Sequence, residues 1–287
     1  MPSPTPRQIL DTLLPYLKTA GAYARQIQPR IAAQPAKAAG SDNFFAAALS
    51  DADLSVQTFV EVALLAHFPE LRFYGEEHAQ TYNTKYFRAI DLGPQDDYLI
   101  TLDPIDGTQF YLDGHDNYQI ILTVLNQDEF EAVLAISPSQ HCYYYTVRGQ
   151  GTHRGHWQDT MADCRPLMVQ PKTPAVCLGF ALTALIDPLK DRYQVFHTGS
   201  SYSKQRQIPN FNGLLSGDLA GAVLERSQFI DGAALAFMAQ EMGYWVTTWE
   251  GQPPPPLHQC RDMRRPGLVI GATAEVHRDL LAAVRTI

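Results

Sequence analysis

Two carboxylates three residues apart, in the run Leu102-Asp103-Pro104-Ile105-Asp106-Gly107-Thr108, carry the most specific chemistry written in this chain. Pro104 disfavours helix at the residue before it and cannot donate to a ladder. A strand over Tyr98–Leu102 is therefore expected to end at Asp103 and release both acids into a turn. Hard cations such as Mg²⁺ take oxygen ligands in octahedral geometry, which Asp103, the Ile105 carbonyl and Asp106 can supply. Gly107 permits close backbone approach, and Gly107-Thr108 can open a helix whose amides point at an anion. The Thr108 hydroxyl is then placed to orient a water. The competing reading of such a run is an Asx turn with no metal at all.

Three other acidic stretches bear on the choice. Gly75-Glu76-Glu77 follows a short β-type run, so one of its acids leaves a second strand end; a solvated acidic loop is the alternative. Asp51-Ala52-Asp53 precedes a helical stretch, where an acid also serves as an ordinary cap. Asp231 opens the helix begun by Gly232-Ala233-Ala234, and the same alternative applies. Nothing in the spacing alone brings these four places together.

The elements that must position them change in kind along the chain. Leu10, Leu13, Leu14 and Leu17 repeat at helical spacing and predict a long first helix reaching toward Ile31. Phe59, Val62, Ala63 and Ala66 mark a second. Short β-type runs follow at Leu71–Tyr74, Tyr98–Leu102, Tyr118–Leu125, Ala132–Ile136 and Cys142–Val147. Helices followed by a meander predict α+β. Beyond Arg165 the pattern alternates, with strands at Val176–Phe180, Tyr193–His197, Trp245–Thr248 and Leu268–Ile270 and helices at Asp231–Met242 and Thr273–Val284. We therefore expect an N-terminal α+β metal-binding subdomain over 1–165 and a C-terminal α/β subdomain over 166–287, with Pro253–Pro256 as a stiff connection.

Composition narrows the function. The 287 residues are 45% hydrophobic and 18% charged, an ordinary globular balance. A net charge of -8 without a basic stripe argues against a nucleic-acid partner. No 18-residue apolar run and no signal-peptide core occur, so neither a membrane partner nor a leader is expected. Cys142, Cys164, Cys177 and Cys260 form no C-x-x-C and read as reduced thiols of a cytoplasmic protein. His153-Arg154-Gly155-His156 reads as a surface loop rather than a metal pair. Gly149 and Gly151 lack the context of a dinucleotide loop, and no G-x-S-x-G elbow supports a serine hydrolase.

In order and rough spacing, Asp53, Gly75-Glu76-Glu77, Asp103-Pro104-Ile105-Asp106-Gly107-Thr108, Gly199-Ser200 and Asp231-Gly232-Ala233-Ala234 resemble the inositol monophosphatase superfamily of Mg²⁺-dependent, lithium-sensitive phosphatases. The likeness runs from about Leu10 to Val284. It implies a layered α/β/α/β/α sandwich of two subdomains. It also implies one Mg²⁺ on Glu76, Asp103 and the Ile105 carbonyl, a second on Asp103, Asp106 and Asp231, and room for a weaker third near Glu76. Asp53 and Thr108 would position and deprotonate the attacking water, with Glu76 beside them in the catalytic set. The amides of Gly107 and Thr108 would hold the phosphate, while Gly199, Ser200 and Glu225 match substrate-side positions. Lys37 matches a lysine that several members keep near the metals, against the plainer reading of an exposed lysine among alanines.

The resemblance leaves the substrate open. Gln109-Phe110-Tyr111 stands where the inositol branch has Thr-Asn-Phe, and Ile230 replaces its aromatic residue. The interval from Gly107 to Tyr118 fits the 3'(2'),5'-bisphosphate nucleotidase and histidinol-phosphate phosphatase branches better, and Gly114 looks like a glycine of the latter. A small phosphate ester is the expected partner, with inositol monophosphate leading by breadth of the family. A homodimer is typical of the inositol branch, a monomer of the nucleotidases. A metal-binding interaction module without turnover is the non-enzymatic alternative.

Overall fold

The computed structural model describes residues 3–33, 48–77 and 92–287. The chain divides into two compact units, Met1–Pro166 and Leu167–Ile287.

In the first unit, helix α1 (Pro6–Ile27) starts at a capping box in which the Thr5 hydroxyl and the Gln8 side chain satisfy each other's backbone amides. Its buried stripe is Ile9, Leu10, Leu13, Leu14, Leu17, Ala20 and Ala24. The helix stops at Ile27, short of the predicted Ile31, and a 3₁₀ turn over Gln28–Arg30 contains Pro29. Gly21 lets α1 lie close on the sheet: a Cβ there would stand 3.0 Å from the Trp157 ring and 3.3 Å from Ile136. Helix α2 (Asp51–His67) buries Ala52, Val56, Val60, Ala63 and Leu64. Phe59 and Val62, which marked this helix in the sequence, are exposed instead, at 41% and 51%. The helix is where the sequence places it, but its buried face runs through Ala52, Val56, Val60 and Leu64 and keeps only Ala63 of the four residues that marked it.

Seven strands form one sheet in chain order: β1 (Arg72–Gly75), β2 (Leu99–Asp106), β3 (Gln119–Leu125), β4 (Phe130–Ser137), β5 (Cys142–Val147), β6 (Thr152–His156) and β7 (Arg165–Pro166). Only β1 and β2 run parallel; the rest are an antiparallel meander. Alternate residues such as Ile100, Leu102, Ile120, Leu122 and Leu134 share a core with α1 and α2. The segment His153–His156 is strand β6, not a loop: it pairs with β5, and the His153 ring stacks on Tyr145 with centroids 5.0 Å apart. Glycine between the histidines suits this ladder, where a Cβ at Gly155 would stand 2.6 Å from both Cys164 and Tyr143.

The second unit holds a five-stranded sheet in the order β12 (Trp245–Thr248), β14 (Leu268–Gly271), β10 (Gly221–Leu224), β8 (Ala175–Leu178), β9 (Gln194–His197). Strands β8, β9 and β10 are parallel, and β14 is antiparallel to both its neighbours. A separate ribbon pairs β11 (Ser227–Gln228) with β13 (Arg264–Arg265). One sheet face packs Ala175, Cys177 and Ala222 on Ala236 and Ala239 of a helix over Gly232–Glu241. The other packs Val176, Leu178 and Val223 on Leu280, Ala283 and Val284 of a helix over Ala274–Val284. The mixed α/β class expected from the sequence is the one observed. No described helix is long and apolar enough to cross a membrane.

Candidate active site

Strand β2 does not end at Asp103. It continues through Pro104 and Ile105 to Asp106, with a register shift: Asp103 stands opposite Ile121 and Asp106 opposite Gln119. Three steps on β2 thus match two on β3, which is a β-bulge. Pro104 sits inside it, where the ladder needs no donor. The extra residue has a geometric consequence. Residues three apart on a regular strand point to opposite faces, but Ile121 and Gln119 share a face, so the bulge turns Asp103 and Asp106 to the same side.

Each acid is held by named partners. The Ile105 amide donates to Asp103 Oδ1 at 3.0 Å, and Gln119 Nε2 donates to Asp106 Oδ2 at 2.8 Å. Gly107 follows in the left-handed region at φ 89° and caps helix α3 (Thr108–Leu112). Thr108 Oγ1 lies 3.0 Å from the Ile105 carbonyl and 3.1 Å from Asp53 Oδ1, sharing its one proton between them.

Asp53 caps its own helix and also reaches Thr108. Ser50 is the N-cap of α2 and Asp53 its N3 residue; Asp53 Oδ2 accepts from the Ser50 amide at 2.7 Å and from its hydroxyl at 2.6 Å. That bond fixes the carboxylate and leaves Oδ1 facing Thr108.

Glu76 is placed by the parallel pair β1–β2. Its amide donates to the Leu102 carbonyl at 2.9 Å, so it leaves β1 alongside Asp103. The next residue is anchored by α2: the Glu77 amide donates to Gln57 Oε1 at 2.9 Å, and Gln57 Nε2 donates to Glu61 Oε1 at 3.0 Å. Gly75 makes room for that amide, since a Cβ would fall 2.3 Å from Gln57 Oε1.

Negative charge accumulates here. Burial pushes the Asp53 carboxyl up to about 7; the Ser50 hydroxyl opposes this, and charge on Glu76 and Glu77 adds to it. Burial likewise lifts Asp106 to about 6, against the Gln119 hydrogen bond and with repulsion from Glu76. Neither Asp53 nor Asp106 pairs with a lysine or arginine among the described residues. Among the same residues no three His, Cys, Asp or Glu side chains gather into a closed metal cage. Asp53 and Asp106 both feel the charge of Glu76. Oxygen donors, the buried Asp53 and Asp106 carboxyls without a lysine or arginine partner among the described residues, and the buried Gln119 Oε1, which has no hydrogen-bond partner there, suit a hard divalent ion.

In the second unit, the carboxyl ends of the parallel strands collect the remaining residues, the usual position of ligand sites in such sheets. Glu225 directly follows β10, and one of its carboxylate oxygens accepts from the Ala181 amide. The Phe180 carbonyl lies 2.9 Å from His197 Nε2. His197 in turn caps the short helix Thr198–Ser201, with Nδ1 accepting from the Ser200 amide at 3.0 Å. Gly199 packs beside the Phe180 and His197 rings. Gly199, Ser200 and Glu225 thus surround one loop, Gly179–Ala181. Asp231 caps the helix Gly232–Glu241 and accepts from the Gly232 amide. Lys37 lies outside the described residues.

A profile of the inositol monophosphatase family matches residues 15–287. The chain belongs to that family. Membership makes it a phosphatase, a phosphoric monoester hydrolase. No curated protein matches its sequence closely enough to count as a relative. Solved structures agree in fold: the IMPase of Thermotoga maritima superposes with a TM-score of 0.72 at 17% identity, covering 97% of both chains. The extragenic suppressor protein suhB from Bartonella henselae gives 0.71 at 16%, over 96% of this chain and 98% of that one. An IMPase/NADP phosphatase complexed with Mg²⁺ and phosphate gives 0.66 at 17%, over 96% and 95%.

Two departures from the inositol monophosphatase pattern have local structural reasons. Phe110 and Tyr111 are buried, and the Tyr111 hydroxyl donates to the Ala24 carbonyl of α1 at 2.7 Å. They fill the core. Gly114 adopts φ 79° with nothing within 4 Å of a notional Cβ, so the turn itself calls for glycine. Sequence reasoning missed Ser50, Gln57, Gln119 and His197, which contact Asp53, the Glu77 amide, Asp106 and the Gly179–Ala181 loop. Only Ser50 had a readable signal, the S-x-x-D capping box.

Proposed function

We propose that this chain is a Mg²⁺-dependent phosphomonoesterase that hydrolyses a small soluble phosphate ester, with inositol monophosphate its first candidate substrate. One observation carries the reading: the Asp53–Thr108 hydrogen bond near Asp103, Asp106 and Glu76, with the Asp53 and Asp106 carboxyls raised and no lysine or arginine paired with either of those two among the described residues. The IMPase/NADP phosphatase of similar fold, complexed with Mg²⁺ and phosphate, is in keeping with it.

Glu76, Asp103, the Ile105 carbonyl and Asp106 would hold the metal, in two or three ions; Asp231 joins this set on the sequence resemblance alone. When bound, such ions lower the pKa of water and neutralise phosphoryl oxygens. The residues do the rest. Thr108 orients the attacking water through its hydroxyl, and Asp53 Oδ1 takes the proton by way of that hydroxyl or directly. With its carboxyl near 7, Asp53 sits where a general base works at neutral pH. The first-turn amides at Gly107 and Thr108 have no partner within their helix and offer donors to the phosphate. Gly199, Ser200 and Glu225 would contact the alcohol part of the ester.

Phosphate release from inositol 1-phosphate, phosphoadenosine phosphate and histidinol phosphate, with and without Mg²⁺ and with added lithium, tests this. A preferred ester hydrolysed only with Mg²⁺ and inhibited by lithium is expected. Folded, Mg²⁺-binding protein inactive on the whole panel would overturn it in favour of an interaction module.

A further inference from the structure

The second unit contains a cavity of about 460 Å³ whose wall includes Arg226, Arg261, Arg264 and Arg265, and no lysine. The chain as a whole carries 22 basic residues against 30 acidic ones, so four arginines in one cavity wall are a marked local reversal of charge. Arg226, Arg261 and Arg264 make no ion pair among the described residues, and Asp262 is the one acid in the wall.

The backbone holds these like charges together. Arg261 and Arg264 are bridge partners across a tight turn, with the Arg264 amide donating to the Arg261 carbonyl at 3.0 Å. The two residues between them, Asp262 and Met263, have φ 54° and 55°. This is the primed hairpin geometry, which puts the flanking side chains directly opposite each other. Opposed like charges destabilise a strand pair, and methionine with positive φ adds backbone strain. Strand β13 then carries Arg264 and Arg265 opposite Gln228 and Ser227 of β11, and the Phe229 amide donates to the Met263 carbonyl at 2.9 Å. The turn is thereby fixed in the fold, although its local terms oppose it.

We propose that this arginine-lined cavity is an anion site for a small molecule bearing a phosphate or pyrophosphate group. Guanidinium forks match phosphate oxygens in pairs, which ammonium groups do not, and a bound polyanion offsets the repulsion between Arg261 and Arg264. The volume suits a small phosphorylated molecule rather than a macromolecular surface. The proposal stands apart from the metal-dependent reading above, because it uses none of the acids assigned there.

Calorimetric titration of pyrophosphate into full-length protein kept free of divalent metal by EDTA tests it, since Mg²⁺-dependent phosphate binding is then silent. Wild type is expected to bind, and R261Q/R264Q to bind at least about tenfold more weakly, a loss of roughly 1.4 kcal/mol. Arg206→Gln, an exposed arginine outside the cavity wall, is expected to leave binding unchanged. Without ligand, the double variant is expected to melt higher than wild type, as the opposed charges are gone. If it fails to fold, Arg261→Gln alone carries the test, because that side chain is exposed. Equal pyrophosphate binding by wild type and variant, or none by wild type, would overturn the proposal. Tighter arginine-dependent binding of a short single-stranded oligonucleotide would overturn the ligand class.

Discussion

Asp53 divides its two oxygens between structure and chemistry, and that division sets what its neighbours can tolerate. Oδ2 closes the capping box with Ser50, while Oδ1 meets the Thr108 hydroxyl. Thr108→Val keeps the shape but removes the hydroxyl, and is expected to lower kcat on the order of a hundredfold, the scale of losing one oriented proton-transfer group. Thr108→Ser should recover most of it. Equal loss in both variants would assign Thr108 to packing instead. Asp106→Asn is expected to cost about a thousandfold in turnover, several kcal/mol of charge stabilisation, while the far-ultraviolet spectrum stays unchanged. Asp103 and Asp106 stood out because two carboxylates at fixed spacing beside Pro and Gly are rare, whereas Asp53, Glu76 and Asp231 joined them only through the family resemblance. Gln57 and Gln119 were not legible. A glutamine that orients an acid from another element has no local signature, and only the folded register brings it there.

At the level of elements, the bulge in β2 does what the turn expected at Asp103 would have done, by another route. Proline correctly signals a break in the ladder, but a one-residue bulge satisfies that signal without ending the strand. Strands β6 and β10 went unread for related reasons. Glycine and charge in Thr152–His156 and the small residues of Gly221–Leu224 give weak strand propensity, and their cross-strand neighbours decide the outcome. The second helix was marked by Phe59, Val62, Ala63 and Ala66, of which only Ala63 lies on the packed face built from Ala52, Val56, Val60 and Leu64. Glycines at element ends are firmer guides. Gly75→Ala puts a methyl group onto Gln57 and must displace it from the Glu77 amide. A loss of about 1–3 kcal/mol in stability is expected, the cost of a buried donor left unmade, with weakened Mg²⁺ activation. Gly107→Ala should cost about 1 kcal/mol through its left-handed backbone. Denaturant melts of both variants, with m-values unchanged, check these figures; Gly75→Ala melting like wild type would show that Gln57 does not hold the turn.

Taken over the whole molecule, the family assignment and the fold shared with the Thermotoga maritima IMPase at 17% identity show that the architecture tolerates wide sequence divergence. Gathering those acids has a thermodynamic cost that the metal-free protein bears. Folding lifts Asp53 to about 7 and Asp106 to about 6 from an ordinary value of 3.8, so the folded chain binds protons that the unfolded chain has already released. Stability from these groups is then fully present below that ordinary value and is lost as pH rises through the folded values. Metal-free protein is therefore expected to lose melting temperature between about pH 5 and about pH 8 through this cluster. A bound divalent ion favours the ionised carboxylates, so Mg²⁺ should raise the melting temperature more at the higher pH, because proton competition has ended there. Asp106→Asn removes one proton-linked charge. It should flatten the metal-free pH dependence and shrink the Mg²⁺ gain together. Differential scanning calorimetry of both proteins at the two pH values, with EDTA or Mg²⁺, reads all three effects. An Mg²⁺ gain that is the same at both pH values and survives in Asp106→Asn would place the ion away from these acids.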